Sequence, residues 1–417
     1  MAIISRAATA TSAGRSRVIH GILWILVAVV LLVLYASQSE DAESSLLDGS
    51  VDFGLEPVTV QTISNFMKTT PDVSNVPIAT ATATSSAPLP GLQPIRCEQY
   101  LEDIYRGVIN ISDPNGSKVY GRRIDGMSGH PFWVSVHDKE FDKVRWGTVF
   151  IDGQYYERAM DEAFVNVLTR SPPEAIVVDV GGNIGWFTLF ARSMGFSVET
   201  FEPLQKNLAR LCESLRLNRW SNAVEKTYDT LSPERRYVNV HGFALGEADT
   251  EQTFNLHPYN PGEGTLHAQS SVIETLWTGY EGKRIETIKV ATLDSFARGR
   301  GWFDKPVEVA ILKIDIEGYE PHVFAGGNQM LQSKMIKNIL LELSPNKPEN
   351  NEAANIDMLN SIMNAGYVLH MWGTWQGPKK PNPFPDSPLN KLAELLVDKT
   401  MKMGDPQQIN LWFKLVE

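Results

Sequence analysis

From residue 175 onward the chain repeats one pattern: a short unbroken apolar run, a polar or glycine-rich break, then apolar residues at helical spacing. Runs of this kind begin at Ile176, Val198, Tyr237, Val309, Asn338, Tyr367 and Ile409. Each is the length of a strand, and the absence of strict alternation marks strands covered on both faces. Between them, Ile184, Phe187, Ala191 and Met194 recur at helical spacing, with Gly195 where a C-cap is expected. Leu204, Leu208, Leu211 and Leu215 do the same behind Pro203, Ala353 to Asn364 predicts a further helix, and another starts at Leu389 after the Pro-rich stretch from Gly377 to Pro388. Strands alternating with helices in this way predict an α/β fold with a doubly wound parallel sheet. The interval from Ala244 to Val307 is too long for a simple crossover. It predicts extra strands and a polar loop near the carboxyl ends of the sheet, which could be a lid over an acceptor, including Ser270 and Ser271, or a plain sheet extension.

The first of these strands runs into Asp179-Val-Gly-Gly-Asn-Ile-Gly185, a turn at which the backbone can approach a ligand closely. The second apolar strand, Val198 to Phe201, is followed by Glu202, where a doubly wound sheet places the acid that binds ribose hydroxyls. A dinucleotide fingerprint needs glycines at relative positions one, three and six. Neither register supplies them, because Val180 or else Asn183 and Trp186 stand where glycines are required.

Asp-x-Gly-Gly-Asn-x-Gly instead resembles motif I of class I S-adenosylmethionine-dependent methyltransferases. Further along, Gly153-Gln-Tyr-Tyr-Glu157, Ala291-Thr-Leu-Asp-Ser-Phe296, Leu312-Lys-Ile-Asp-Ile-Glu-Gly-Tyr-Glu320 and Gly326-Gly327 are similar in content and order to the FkbM methyltransferases, over roughly residues 130 to 417. The resemblance implies a Rossmann-like seven-stranded sheet whose last strand is antiparallel. It also implies S-adenosylmethionine as cofactor, held by Asp179, Gly181, Gly182, Asn183, Gly185 and Glu202. Gly182 stands where the family usually has Ala, a change expected to add flexibility without removing a contact atom.

Ahead of this domain, Val18 to Ala36 is interrupted only by His20. Nineteen helical residues span about 28 Å, enough for a hydrocarbon core of roughly 30 Å. Arg6, Arg15 and Arg17 precede the span and Glu40, Asp41 and Glu43 follow it, so the positive-inside rule predicts a type II anchor. The competing reading, a cleaved signal peptide, lacks an Ala-x-Ala site after Tyr35. The expected organisation is a cytoplasmic tail (1–17), an anchor (18–36), a disordered low-complexity stalk (37–95) rich in Ser, Thr, Pro and Ala, and a catalytic domain (96–417). That domain would lie in the lumen of the Golgi or another secretory-pathway membrane. The sequons Asn110-Ile-Ser112 and Asn115-Gly-Ser117 agree with that side of the membrane.

The net charge of -11 and the lack of a basic stripe argue against a nucleic acid partner. With two cysteines, Cys97 and Cys212, a disulfide is open, but the apolar helix face beside Cys212 favours a buried free thiol. No Cys-x-x-Cys or paired His motif calls for zinc, and His241, His257, His267 and His322 have no ligand-like spacing.

Methyl transfer to a hydroxyl requires an aligned acceptor, exclusion of water and a proton acceptor. Asp315 and Glu317 would share a side if their strand continued. They could bind the cofactor's ammonium, act as base, or hold a metal. The assignment made is Asp315 to the cofactor and Glu317 to the proton, with no metal site. Glu157 could close over the cofactor or cap a helix, and Glu342 could line the acceptor pocket or be a buried structural acid. Topology and family resemblance together imply a sugar or glycan hydroxyl as acceptor. The reading from a different class is a membrane-tethered binding or scaffold protein whose methyltransferase domain is inactive; intact Asp179, Glu202, Asp315 and Glu317 speak against it.

Overall fold

The computed structural model describes residues 58–59, 93–109, 118–124, 129–137, 158–220, 236–256, 264–265, 285–344, 352–373, 380–381, 389–402 and 408–416. In chain order the elements are β1 (Val58–Thr59), α1 (Cys97–Tyr105), β2 (Lys118–Ile124), β3 (Phe132–Val136), α2 (Arg158–Leu168), β4 (Ile176–Val180), α3 (Trp186–Ser193), β5 (Ser197–Phe201), α4 (Gln205–Leu217) and β6 (Val238–His241). They continue with β7 (Ala244–Leu245), β8 (Thr250–Leu256), β9 (Gly264–Thr265), β10 (Ile285–Ala291), α5 (Leu293–Gly299), β11 (Val309–Ile314), α6 (Glu320–Ala325), α7 (Asn328–Gln332) and β12 (Asn338–Leu343). The last are α8 (Glu352–Asn364), β13 (Tyr367–Gly373), β14 (Lys380–Pro381), α9 (Leu389–Lys402) and β15 (Ile409–Leu415).

The central sheet has the order β14-β13-β15-β12-β11-β4-β5-β6. From β12 to β6 every pair is parallel, and β15 runs antiparallel to both β12 and β13. These are the seven strands expected from the apolar runs, plus one correction: the Pro-rich segment contributes a two-residue edge strand, Lys380–Pro381, against Met371 and Trp372. The chain winds outward from β4 through β5 to β6, then returns to β11 on the other side of β4. A crevice therefore opens at the carboxyl ends of β4 and β11, where ligands bind in such sheets.

Alternation within the buried strands sorts their side chains onto two cores. Val177, Ile311 and Leu340 face Phe164, Phe187 and Leu211 on the side covered by α1 to α4. Val178, Leu312 and Leu341 face Phe296, Met330, Leu359 and Leu396 on the side of α5 and α7 to α9. The interval after Ala244 does form extra strands, in a second sheet of order β7-β10-β8-β9. Tyr319, in the turn after β11, donates from its hydroxyl to Gln252 of β8 at 3.1 Å, which ties this sheet to the edge where the crevice opens.

Two expectations about the N-terminal half change. Val58–Thr59, inside the stretch read as a disordered stalk, pairs antiparallel with Lys118 and Val119. The free-thiol reading of Cys212 is overturned, because Cys97 of α1 and Cys212 of α4 form a disulfide. Both readings of Cys212 require burial, and only the packing of α1 across α4 reveals its partner. The bridge closes a loop with a sequence separation of 115, so reducing it, or replacing both cysteines by Ala, should lower the unfolding free energy by about 2 to 4 kcal/mol. Urea midpoints with and without reductant check this; coincident curves would mean that the bridge contributes nothing. The segment 18–36 and both sequons lie outside the described residues. Among the described residues no helix is long and apolar enough to cross a membrane.

Candidate active site

Where β4 ends, the backbone turns over the end of β5: the amides of Gly181 and Gly182 both donate to the carbonyl of Phe201, at 3.0 and 2.9 Å. Gly181 has φ +82°, and a Cβ there would lie 1.9 Å from the backbone oxygen of Asp315. No side chain fits. A Cβ on Gly182 would meet the hydroxyl of Thr200 at 2.2 Å, so this glycine answers a neighbour rather than adding flexibility, as the sequence alone suggested. Gly185, at φ +98°, is the N-cap of α3.

The acids at the strand ends hold this loop. Glu202 is buried and accepts from the backbone N–H of Asn183 at 2.8 Å through Oε2, and from the N–H of Leu204 at 2.9 Å and the side chain of Asn207 at 3.3 Å through Oε1. Asn183 adopts a left-handed φ of 49°, and its Oδ1 accepts from the N–H of Ile184. Asp179 is fully buried, and its Oδ2 accepts from Thr188 at 2.6 Å. Its Oδ1 has no hydrogen-bond partner, and neither has the hydroxyl of Thr200 beside the loop. Burial raises the pKa of Asp179, opposed by the Lys313 charge and the Thr188 hydrogen bond. A buried carboxylate with one oxygen unmatched suits a cationic or hydrogen-bond-donating ligand.

Across the crevice, the structure brings Asp315, Glu317 and Glu342 together, with one oxygen of each within 4.8 Å of the others. The reason differs from the one expected. β11 ends at Ile314, the N–H of Asp315 donates to the Val180 carbonyl, and Glu317 takes a left-handed φ of 57°, so the two acids converge through a turn rather than along a continuing strand. Lys313 donates to Asp315 Oδ2 at 3.1 Å while lying 4.6 Å from the centre of the Phe187 ring, and Gln408 donates to Glu317 Oε2 at 3.0 Å.

Sequence reasoning missed Lys313, Thr188, Thr200, Gln408 and Glu320. Lys313 carried a signal, since a lysine amid Ala-Ile-Leu and Ile in a doubly covered strand needs a buried anion. Glu320, quoted within the Gly-Tyr-Glu motif but given no role, is fully buried, and its Oε1 accepts from the N–H of Gly318 at 2.8 Å. Burial pushes its pKa from 4.5 up to about 8, with Glu317 and Asp315 adding to the rise. Between those two values the folded chain keeps a proton that the unfolded chain has released. Its contribution to stability is thus whole below 4.5 and is lost as pH rises through about 8, with a slope of at most about 1.4 kcal/mol per pH unit. Glu320→Gln should flatten this slope in urea unfolding measured across the interval; an unaltered slope would assign the pH dependence to other groups.

The remaining candidates add little. His241 bonds Glu199 at 2.7 Å and His322 bonds Glu247 at 3.1 Å, both as ordinary paired histidines. Glu157, Ser270, Ser271, His257 and His267 lie outside the described residues.

A sheet that is parallel from β12 to β6 and reversed at β15, with a glycine turn at its switch point and acids at the ends of β4, β5 and β11, agrees with the methyltransferase fold expected from the sequence. Residues 179–369 match the family model for the methyltransferase FkbM domain. It is similar to "Methyltransferase 1" of Beauveria bassiana (strain ARSEF 2860), 25% identical over 186 residues, which cover 42% of this chain and 67% of that protein. It is 34% identical over 106 residues to the AMB antimetabolite synthetase AmbE of Pseudomonas aeruginosa, covering 25% of this chain and 4% of that much longer one. A likeness to the crystal structure of methyltransferase FkbM from Methylobacillus flagellatus KT has 17% identity and a TM-score of 0.32, covering 66% of this chain and 48% of that one.

Proposed function

We propose that this protein transfers the methyl group of S-adenosylmethionine to a hydroxyl of a sugar or glycan, with its domain on the lumenal side of a secretory-pathway membrane. The observation that carries the cofactor is the unmatched, buried Oδ1 of Asp179 beside the glycine turn. A methionine ammonium would supply the missing donor. This reading gives the ammonium to Asp179 and places Asp315, read from the sequence as its partner and bonded here to Lys313, on the acceptor side. Glu202, at the end of β5 and bonded to the backbone of the glycine turn at Asn183, stands where such sheets hold the ribose.

When bound, S-adenosylmethionine would supply the methyl group, its carbon–sulfur bond breaking with the electron pair left on sulfur as the bond to the acceptor oxygen forms, and Glu317 would take the hydroxyl proton. The turn at Gly181 lies close against the backbone of Asp315, so cofactor side and acceptor side are positioned against each other. Support for a lumenal sugar or glycan acceptor comes from the apolar span 18–36, the sequons and the Cys97–Cys212 disulfide, a bond typical of oxidising compartments.

Calorimetric titration of S-adenosylmethionine tests the cofactor. Glu202→Ala should weaken binding by about one to three powers of ten, since charge-assisted hydrogen bonds are worth about 1.5 to 3 kcal/mol each. Because Glu202 also fixes the loop, Glu202→Gln serves as the comparison: its amide oxygen can serve one of the two backbone donors but not both. Unchanged affinity in both folded variants would refute the ribose role. No binding to the unaltered protein would refute the reading as a whole and favour a tethered binding or scaffold role.

A further inference from the structure

The carboxylate cluster has a fourth member that the reading above does not use. Asn410 stands directly opposite Glu342 in the antiparallel register of β12 and β15. Opposed residues share a face, so its side chain points to the same side of the sheet as the Glu342 carboxylate. Gln408, two residues before it, reaches Glu317 from that side at 3.0 Å. Asn410 is only 7% exposed, and its Oδ1 has no hydrogen-bond partner. A buried amide oxygen without a donor is costly, and the groups gathered beside it are carboxylates, which donate nothing when ionised. Lys313 brings one positive charge to the three acids through Asp315 Oδ2, while the Asn410 oxygen is still without a partner; a metal ion would match that oxygen and the remaining negative charge together.

We propose that Asp315, Glu317, Glu342 and the side-chain oxygen of Asn410 form a binding site for a hard divalent cation, magnesium or manganese, at the acceptor edge of the crevice. Three carboxylate oxygens lie within 4.8 Å of one another, and two oxygens that ligate an ion at about 2.0 to 2.1 Å stand no farther apart than about 4.2 Å. A small contraction closes the set. An all-oxygen donor set selects magnesium, manganese or calcium over zinc or copper, which take nitrogen and sulfur. Four protein oxygens leave two of six positions open, the number that an acceptor with adjacent hydroxyls would fill. This rests on the methyl-transfer reading and adds to it. The cation holds the acceptor oxygen and lowers its pKa, so Glu317 takes a proton that has already been loosened.

The test uses the whole protein stripped with chelator, then titrated with manganese chloride and followed by calorimetry and by the electron paramagnetic resonance of free manganese. The result expected is one ion per chain, with affinity lowered at least tenfold in Glu342→Gln. Asn410→Asp supplies a gain: it places a fourth carboxylate where the unmatched oxygen sits, and should bind manganese at least tenfold more tightly than the unaltered chain. It should also melt at a lower temperature without the ion and recover with it. A structural role for Asn410 alone would give the loss without the recovery, which would overturn the proposal, as would the absence of manganese binding to the unaltered protein. S-adenosylmethionine is titrated on the same stripped sample. If the cofactor binds and manganese does not, the cation site fails and methyl transfer stands; if neither binds, methyl transfer fails too.

Discussion

Glu317→Gln lowers methyl-transfer turnover about 100- to 10,000-fold, the range associated with losing a positioned general base. The substitution keeps the size of the side chain and its place in the turn, where φ is 57°. Its amide cannot take up the hydroxyl proton. Affinity for S-adenosylmethionine should barely change, because that side of the crevice is set by the glycine turn, Asp179 and Glu202. The counterpart is Asp179→Asn, which removes the charge whose Oδ1 is unmatched and should weaken the cofactor while leaving Glu317 in position. Single-turnover rates and calorimetric affinities for both variants separate the two roles. Near-normal turnover in Glu317→Gln would remove Glu317 as the base.

Gly181→Ala should disable the site from the other direction. The left-handed φ of 82° is unfavourable for a side chain, and the added Cβ would lie 1.9 Å from the Asp315 carbonyl oxygen, a backbone atom that no rotamer change can move aside. The conformational term is about 1 to 2 kcal/mol and overpacking about 1 to 3 kcal/mol, so folding stability should fall by about 2 to 5 kcal/mol. Whatever relaxation occurs must part the glycine turn from the turn carrying Asp315, so cofactor affinity and turnover should fall together. Urea unfolding and calorimetry check both. A variant with unaltered stability and affinity would show that the close approach of Gly181 to Asp315 is not maintained in solution.

The sequence by itself determined the sheet. Val309 to Ile314, Asn338 to Leu343 and Ile409 to Leu415 are strands that begin at the residues where their apolar runs begin, and the helix from Leu389 begins at that residue. A strand buried on both faces must be apolar throughout, and a helix packed on one side must repeat with its turn, so periodicity records them directly. The glycine turn was legible for a related reason: Gly181 reports a positive φ and a close approach in its own identity.

Tertiary structure alone decided which residues meet. Asp315 and Glu317 are two residues apart in the chain, but Glu342 joins them from the next strand, Asn410 from the last one and Gln408 from just before it, across 91 residues in the case of Gln408 and Glu317. Cys212 could be recognised as buried from its helix, whereas its bond to Cys97 depends on how α1 crosses α4. The roles of Thr200 and Glu320 likewise come from what surrounds them: a hydroxyl that fills the space above Gly182, and a carboxyl whose pKa is raised by burial and by the charges of Glu317 and Asp315. Local pattern follows from which face of an element is buried, a property each short segment carries in its own residues. Pairings between segments depend on strand order and register, which the whole chain settles at once when it packs.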